Sequence, residues 1–285
     1  MRFIVALTLA FGAASASAPL DISSADRSAI TLSSWIKSTY PAQAAAREYS
    51  TNQATKRWAL LIGINDYAYP TGDLVGSKPD AVELRTVLLN MGWRSDHILL
   101  LTDRRATAGH IIEAIRWLYL KTTTASTVVF HYAGHEKYTR TTSDGDSETR
   151  DVMIWGADNR YILDGNLGRE MGRVRASKMW IDISTCRSAG FSDYGMVKTG
   201  RVLTFSSTVS EYSYDVPSLK HSAFGYYLIH LGLYLKRGDY NGDKLIAVEE
   251  AAKFARPYVV AQTNNTQHPV TIDKLSGGFY LNIPR

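Results

Sequence analysis

A single cysteine, Cys186, occurs in the 285 residues of the chain. No intrachain disulfide can form, which excludes the small stapled scaffolds that exported chains often use in place of a large core. The thiol is unpaired, and an unpaired thiol is either a small buried hydrophobe or a reactive group. Long apolar runs are also scarce. The stretch from Phe3 to Gly12 is well short of the roughly 18–20 residues that cross a bilayer, and no later segment is long and apolar enough, so no stable membrane span is expected. Lys and Arg number 32 against 27 Asp and Glu, a formal charge of +5. These cations are scattered and lack the clustered stripe that tracks a phosphate backbone, so no nucleic-acid partner is expected. Neither a Gly-x-Gly-x-x-Gly fingerprint nor a P-loop is present, which leaves nucleotide binding without a motif. No internal repeat is visible, so a solenoid is not expected.

What is present is a globular composition: 45% hydrophobic and 11% aromatic residues, enough for a packed core. The first residues run Met1-Arg2, then the apolar stretch, then small residues from Ala13 to Ala18, the order of a secretory signal peptide. The expected leader is residues 1–16, and the expected location is periplasmic or extracellular. Residues 17–56, rich in Ser, Thr and Ala, read as a linker or pro-segment, and residues 57–285 as one domain. Within that domain apolar strands alternate with amphipathic helices. Strands are predicted at 58–63, 98–101, 127–132, 179–183 and 202–205, and helices at 80–91, 108–120, 167–174 and 223–235. Near-continuous apolar strands separated by helices imply an α/β fold, a doubly wound and mostly parallel sheet flanked by helices on both faces. In such sheets ligands bind beyond the carboxyl ends of the strands.

Two of those ends carry chemistry. The third strand runs out through Phe130-His-Tyr-Ala-Gly-His135, and the fourth through Trp180-Ile-Asp-Ile-Ser-Thr-Cys186. An imidazole that takes the proton of a thiol creates a strong nucleophile and can then protonate a leaving amine. His131, four residues before His135, is expected to pack inside its strand. Asp182 lies on the same strand face as Ser184, since side chains alternate.

Tyr132-Ala-Gly-His135 and Ser184-Thr-Cys-Arg-Ser188 resemble the histidine and cysteine motifs of the caspase and metacaspase peptidases. Leu60 to Tyr67, Pro79-Asp-Ala81, Arg105-Ala-Thr107 and Phe205-Ser-Ser207 with Glu211 resemble further landmarks in the same order. His135 precedes Cys186 by about 50 residues, which is the caspase family's own separation and so part of the resemblance. The resemblance implies a caspase-like cysteine endopeptidase with a polypeptide substrate and no cofactor required for the chemistry. It implies His135 and Cys186 as the catalytic pair and the backbone amides of Glu136 and Cys186 as the oxyanion donors. Three positions depart from the family motifs. Glu136 stands where the family has Gly, Ala189 replaces a second Gly, and Ser184 stands where metacaspases carry the acidic residue that receives a substrate Lys or Arg. If basic specificity persists, Asp182 would have to supply the carboxylate from deeper in the pocket. The rival reading is a catalytically silent caspase-like scaffold that binds a protein partner.

Asp239, Asn241, Asp243 and Glu250 fall at positions 1, 3, 5 and 12 of an EF-hand-like loop, with Lys244 where a glycine is expected. They make either a Ca2+ site, and with it a Ca2+-regulated binding module, or an Asx-stabilised turn. Processing is expected at the Lys56-Arg57 junction or in the polar loop Lys137 to Arg150, both taken as exposed, rather than between 191 and 200.

Overall fold

A computed structural model describes residues 54–140, 151–192 and 195–282. The expected leader, residues 17–53 of the expected linker and residues 141–150 of the polar loop lie outside the described residues. Strand β1 (Arg57–Gly63) is apolar at nearly every position because both of its faces are covered. It is the second strand of a six-stranded sheet in the order β2-β1-β3-β7-β8-β11. The others are β2 (Ile98–Thr102), β3 (Thr127–Ala133), β7 (Lys178–Ser184), β8 (Arg201–Phe205) and β11 (Val270–Asp273). All neighbours are parallel except β11, which runs antiparallel to β8 at the edge.

Helices α1 (Ser77–Asn90), α2 (Ala108–Lys121) and α3 (Asp164–Arg173) fall where periodicity placed them, each beginning within three residues of expectation. Alternation along the strands sorts the core into two layers. Leu60, Ile62, Phe130, Ile181 and Ile183 pack with α2 and α3, while Ala59, Leu61, Val129 and Trp180 pack with α1 on the opposite face. That opposite face is completed by α4, in which Ala223–Gly225 continues as a π-helix Tyr226–Tyr234, and by α5 (Val248–Gln262). Pro257 lies inside α5, so this helix runs past a residue that ordinarily ends one.

Two small antiparallel additions were not foreseen. Strands β4 (Glu136–Thr139), β5 (Asp151–Trp155) and β6 (Tyr161–Leu163) form a separate sheet directly after His135. Strands β9 (Asp215–Val216) and β10 (His221–Ser222) form a short ribbon before α4. The Lys56-Arg57 junction also departs from expectation: it is not an exposed tether. Arg57 is buried and opens β1, and its guanidinium donates to Leu281 O at 2.7 Å and Asn282 O at 3.1 Å.

Candidate active site

β3 and β7 are adjacent, and their parallel register pairs Ala133 with Ser184. His135 and Cys186 each lie two residues beyond that pair, so the ring and the thiol leave neighbouring strand ends on matching steps. Chain reversal between β1's two neighbours opens the crevice of a doubly wound sheet at this end, and the loop after β1 reaches into it. Gly72 O, in that loop, is 2.8 Å from His135 Nε2. A carbonyl can only accept, so Nε2 carries the proton and Nδ1 is left as the basic nitrogen. The histidine backbone is pinned as well: His135 N donates to Tyr67 Oη at 2.8 Å, and Tyr132 Oη donates to His135 O at 2.8 Å. A Cβ on Gly134 would stand 2.5 Å from Tyr67 Oη and 2.8 Å from Tyr132 Oη, so this position requires glycine for the two buried phenols to close on the histidine.

Cys186 is half-buried. Its Sγ accepts from Ser213 N at 3.4 Å and lies 3.8 Å from Ser213 O. Burial pushes the thiol's pKa up, against the opposing pull of the Ser213 backbone. The turn behind it is built from serines. Ser206 Oγ accepts from Thr185 N and donates to Thr185 O, both at 3.0 Å, and Ser207 N donates to Ser188 Oγ at 2.9 Å. The segment after β8 thus holds both flanks of the cysteine, and Glu211 O accepts from Arg187 N at 2.7 Å.

A caspase domain model matches residues 56–280, which is most of the chain. The chain belongs to the caspase family. Among curated relatives, Metacaspase-1 of Schizosaccharomyces pombe is 28% identical over 207 residues, covering 68% of this chain and 46% of that protein. Metacaspase-3 of Arabidopsis thaliana is 29% identical over 150 residues, covering 48% and 41%. The chain therefore spans less than half the length of these relatives. A crystal structure of a Geobacter sulfurreducens protein superimposes with a TM-score of 0.58 at 16% identity, covering 78% of this chain and 94% of that one, a likeness of fold.

Within the caspase domain one of the departures, Glu136, pairs with the residue that follows Cys186. Glu136 and Arg187 immediately follow His135 and Cys186, and Arg187 Nε donates to Glu136 Oε1 at 3.0 Å while Nη2 lies 2.8 Å from Oε2. The carboxylate is enclosed, and its pKa is raised by burial against the pull of Arg187. Arg187 also lies over the rings of Tyr138 and Tyr212, at 4.8 and 5.2 Å. Its backbone is left-handed, with φ 48°.

Asp182 does not reach a pocket. It is fully buried in the sheet, where Oδ2 takes His131 Nδ1 at 2.7 Å and Oδ1 takes the Thr204 hydroxyl. Withdrawing it toward a substrate would break both bonds and leave a buried imidazole without its partner. A second buried carboxylate, Asp80 of α1, is linked to Ser184 through Ser222. Ser184 Oγ lies 3.4 Å from Ser222 Oγ, and Ser222 N donates to Asp80 Oδ2 at 3.3 Å. An i+4 apolar pattern on α1 conceals Asp80, and only its neighbours in space distinguish it.

The acidic loop takes the second of its two forms. Asp239 accepts from Gly242 N at 2.8 Å and Lys244 N at 3.0 Å, Asn241 from Asp243 N at 2.8 Å, and Asp243 from Leu245 N at 2.7 Å. Glu250 is turned onto Ala247 N at the start of α5, at 3.0 Å. Among the described residues, Asp239, Asp243 and Glu250 do not bring their oxygens together as ligands of one ion. In this arrangement the loop is an Asx-stabilised turn.

Proposed function

We propose that the chain is a cysteine endopeptidase working through His135 and Cys186. The observation that carries this reading is the placement of both groups beyond one register pair, with Nε2 of the ring occupied by Gly72 O and Nδ1 left basic. The Cys186 proton passes to His135 Nδ1, and the thiolate adds to the scissile carbonyl carbon. The oxyanion is received by the amides of Cys186 and Glu136. When the tetrahedral centre collapses, the C–N bond breaks and His135 returns its proton to the leaving amine. Water, deprotonated by the same ring, then hydrolyses the thioester.

In the resting arrangement Sγ is held by Ser213, so substrate must draw the thiol away from that backbone before it reacts. This closed arrangement is also what favours the rival reading, a silent scaffold that binds a protein partner. A thiol-directed peptidyl probe separates the two. The peptidase should gain one adduct per chain on Cys186 by intact mass, with the rate falling by orders of magnitude in His135→Ala. Equal labelling of wild type and His135→Ala would sink the enzyme reading.

A preference for Lys or Arg before the cut would need a carboxylate behind Ser184, and Asp80 is linked to that position through Ser222, although it is itself fully buried and bonded to His221. Asp80→Asn should then depress turnover of Arg and Lys peptides well below that of neutral ones, whereas Asp182→Asn should lower stability without changing that ratio.

A further inference from the structure

Helix α1, β10 and the π-helical part of α4 bring together three side chains that the dyad does not use. Glu83, His221 and His230 are each partly buried, with side-chain exposures of 17%, 13% and 27%. One ligand atom from each lies within 4.8 Å of the others. His230 Nδ1 is 2.8 Å from Glu83 Oε1, and His221 Nε2 is 3.5 Å from Glu83 Oε2. That Oε2 is enclosed and has no hydrogen-bond partner among the described residues.

Asp80 orients the His221 ring from its opposite side. His221 Nδ1 lies 2.7 Å from Asp80 Oδ1, and Asp80 is fully buried. With the Nδ1 proton given to that carboxylate, Nε2 presents a lone pair. It faces the Glu83 oxygen 3.5 Å away, a gap that either a proton on Nε2 or a metal cation between the two can fill. Tetrahedral coordination with metal–ligand distances of about 2.1 Å sets neighbouring donors about 3.4 Å apart, close to the gap observed. A carboxylate that takes the far nitrogen of a ligating histidine is the usual orienting partner at such centres.

The local fold is bent to make this approach. A Cβ on Gly225 would come within 2.1 Å of the Asp80 carboxyl carbon, so only glycine lets α4 begin against it. The π-helical winding, rare and mostly found at functional sites, sets His230 in a stack between Tyr226 and Tyr234, with centroids 5.1 and 6.0 Å away.

We propose that Glu83, His221 and His230 bind one Zn2+-class divalent cation, with Asp80 orienting His221 and the fourth position open to water or an added ligand. Two imidazoles and one carboxylate select late first-row metals over Ca2+ and Mg2+. The site joins α1 to the ribbon and helix that follow β9, so occupancy should raise the melting temperature. It does not require the peptidase reading; Asp80 enters both, and Asp80→Asn is read here by Zn2+ affinity alone.

The test is a calorimetric titration of the full chain with Zn2+, using Cys186→Ala so that the catalytic thiol cannot serve as a ligand. Expected are one Zn2+ per chain, a higher melting temperature with Zn2+ but not with Ca2+ or Mg2+, and tetrahedral Co2+ absorption on substitution. Glu83→Gln and His230→Ala should abolish saturable binding, and Asp80→Asn should weaken it about 10–100-fold. His135→Ala should leave it unchanged. His230 is the most exposed of the three, so His230→Ala gives a folded control even if Asp80→Asn does not fold. Absence of binding to the Cys186→Ala chain, or binding that survives both Glu83→Gln and His230→Ala, would overturn the proposal.

Discussion

Burial raises the Cys186 thiol's pKa, so at neutral pH its thiolate fraction lies below that of a free cysteine, whose pKa is roughly 8.5. The alkylation rate should therefore still be climbing with pH where an ordinary thiol has levelled off. Cys186 is the chain's one cysteine, so iodoacetamide uptake followed by mass reports on it alone. A plateau already reached near neutrality would instead mean a preformed thiolate–imidazolium pair. At Gly134 the constraint is steric. Gly134→Ala forces the new methyl into the Tyr67 and Tyr132 hydroxyls, and overpacking of this kind costs about 1–3 kcal/mol. The expected result is a lowered melting temperature together with a loss of probe labelling larger than that stability loss explains, because Tyr67 holds the His135 amide. An unchanged labelling rate would remove Tyr67 and Gly134 from the positioning of the histidine. His135 and Cys186 themselves were legible in the sequence because short motifs at strand ends carried them. Tyr67, Gly72 and Ser213 were not legible as partners, since a backbone carbonyl or amide has no sequence signature and each lies far along the chain from what it holds.

At the level of elements, the Glu136–Arg187 pair ties the start of β4 to the turn after β7. Glu136 alone looked like a defect in a motif; with Arg187 it forms an enclosed fork bridging the two segments that carry His135 and Cys186. Removing one member strands the other's charge in a buried site, which costs about 3 kcal/mol or more. Arg187→Ala should therefore destabilise the fold strongly and slow labelling of Cys186. Adding Glu136→Gln to Arg187→Ala should recover part of the loss, because the residual side chain is then uncharged. A double-mutant cycle with no coupling would show that the two act separately. The principal strands and helices were legible because period 2 and period 3.6 are written in the apolar residues. The strands β4, β5 and β6 were missed because their segments are short, and the polar run at 140–150 between β4 and β5 hid the hairpin. The edge strand β11 was missed for a similar reason: Val270–Asp273 alternates half-buried with exposed positions and has no apolar run.

For the whole molecule, the decisive contacts are those that fasten the start of the sheet to the end of the described chain. Arg57 sits at the head of β1, paired with Thr127 of β3, and its guanidinium lies 5.5 Å from the Trp93 ring centroid while bonding Leu281 and Asn282 carbonyls. Trp93 Nε1 donates to the same Leu281 O at 2.7 Å. Burial lowers the Arg57 pKa to about 10, so the group remains a cation at neutral pH and needs those carbonyls. Sequence alone made Lys56-Arg57 resemble a dibasic processing site, because its acceptors lie more than two hundred residues away. A protease can cut only a segment it can extend through its cleft, and the backbone here is committed to the sheet. Limited trypsin digestion of the folded chain should accordingly leave the Lys56–Arg57 bond intact while cleaving elsewhere. Deleting residues 281–285 removes the two closer carbonyl acceptors and the buried Leu281 side chain, leaving only Tyr280 O at 3.4 Å; the fold should be destabilised, and the bond should then be cut at a rate that rises with the unfolded population. Peptide mapping by mass spectrometry reads both results. Prompt cleavage after Lys56 in the full-length chain, with the remaining fold intact by circular dichroism, would show that β1 begins later than Arg57 and that this junction is open to processing after all.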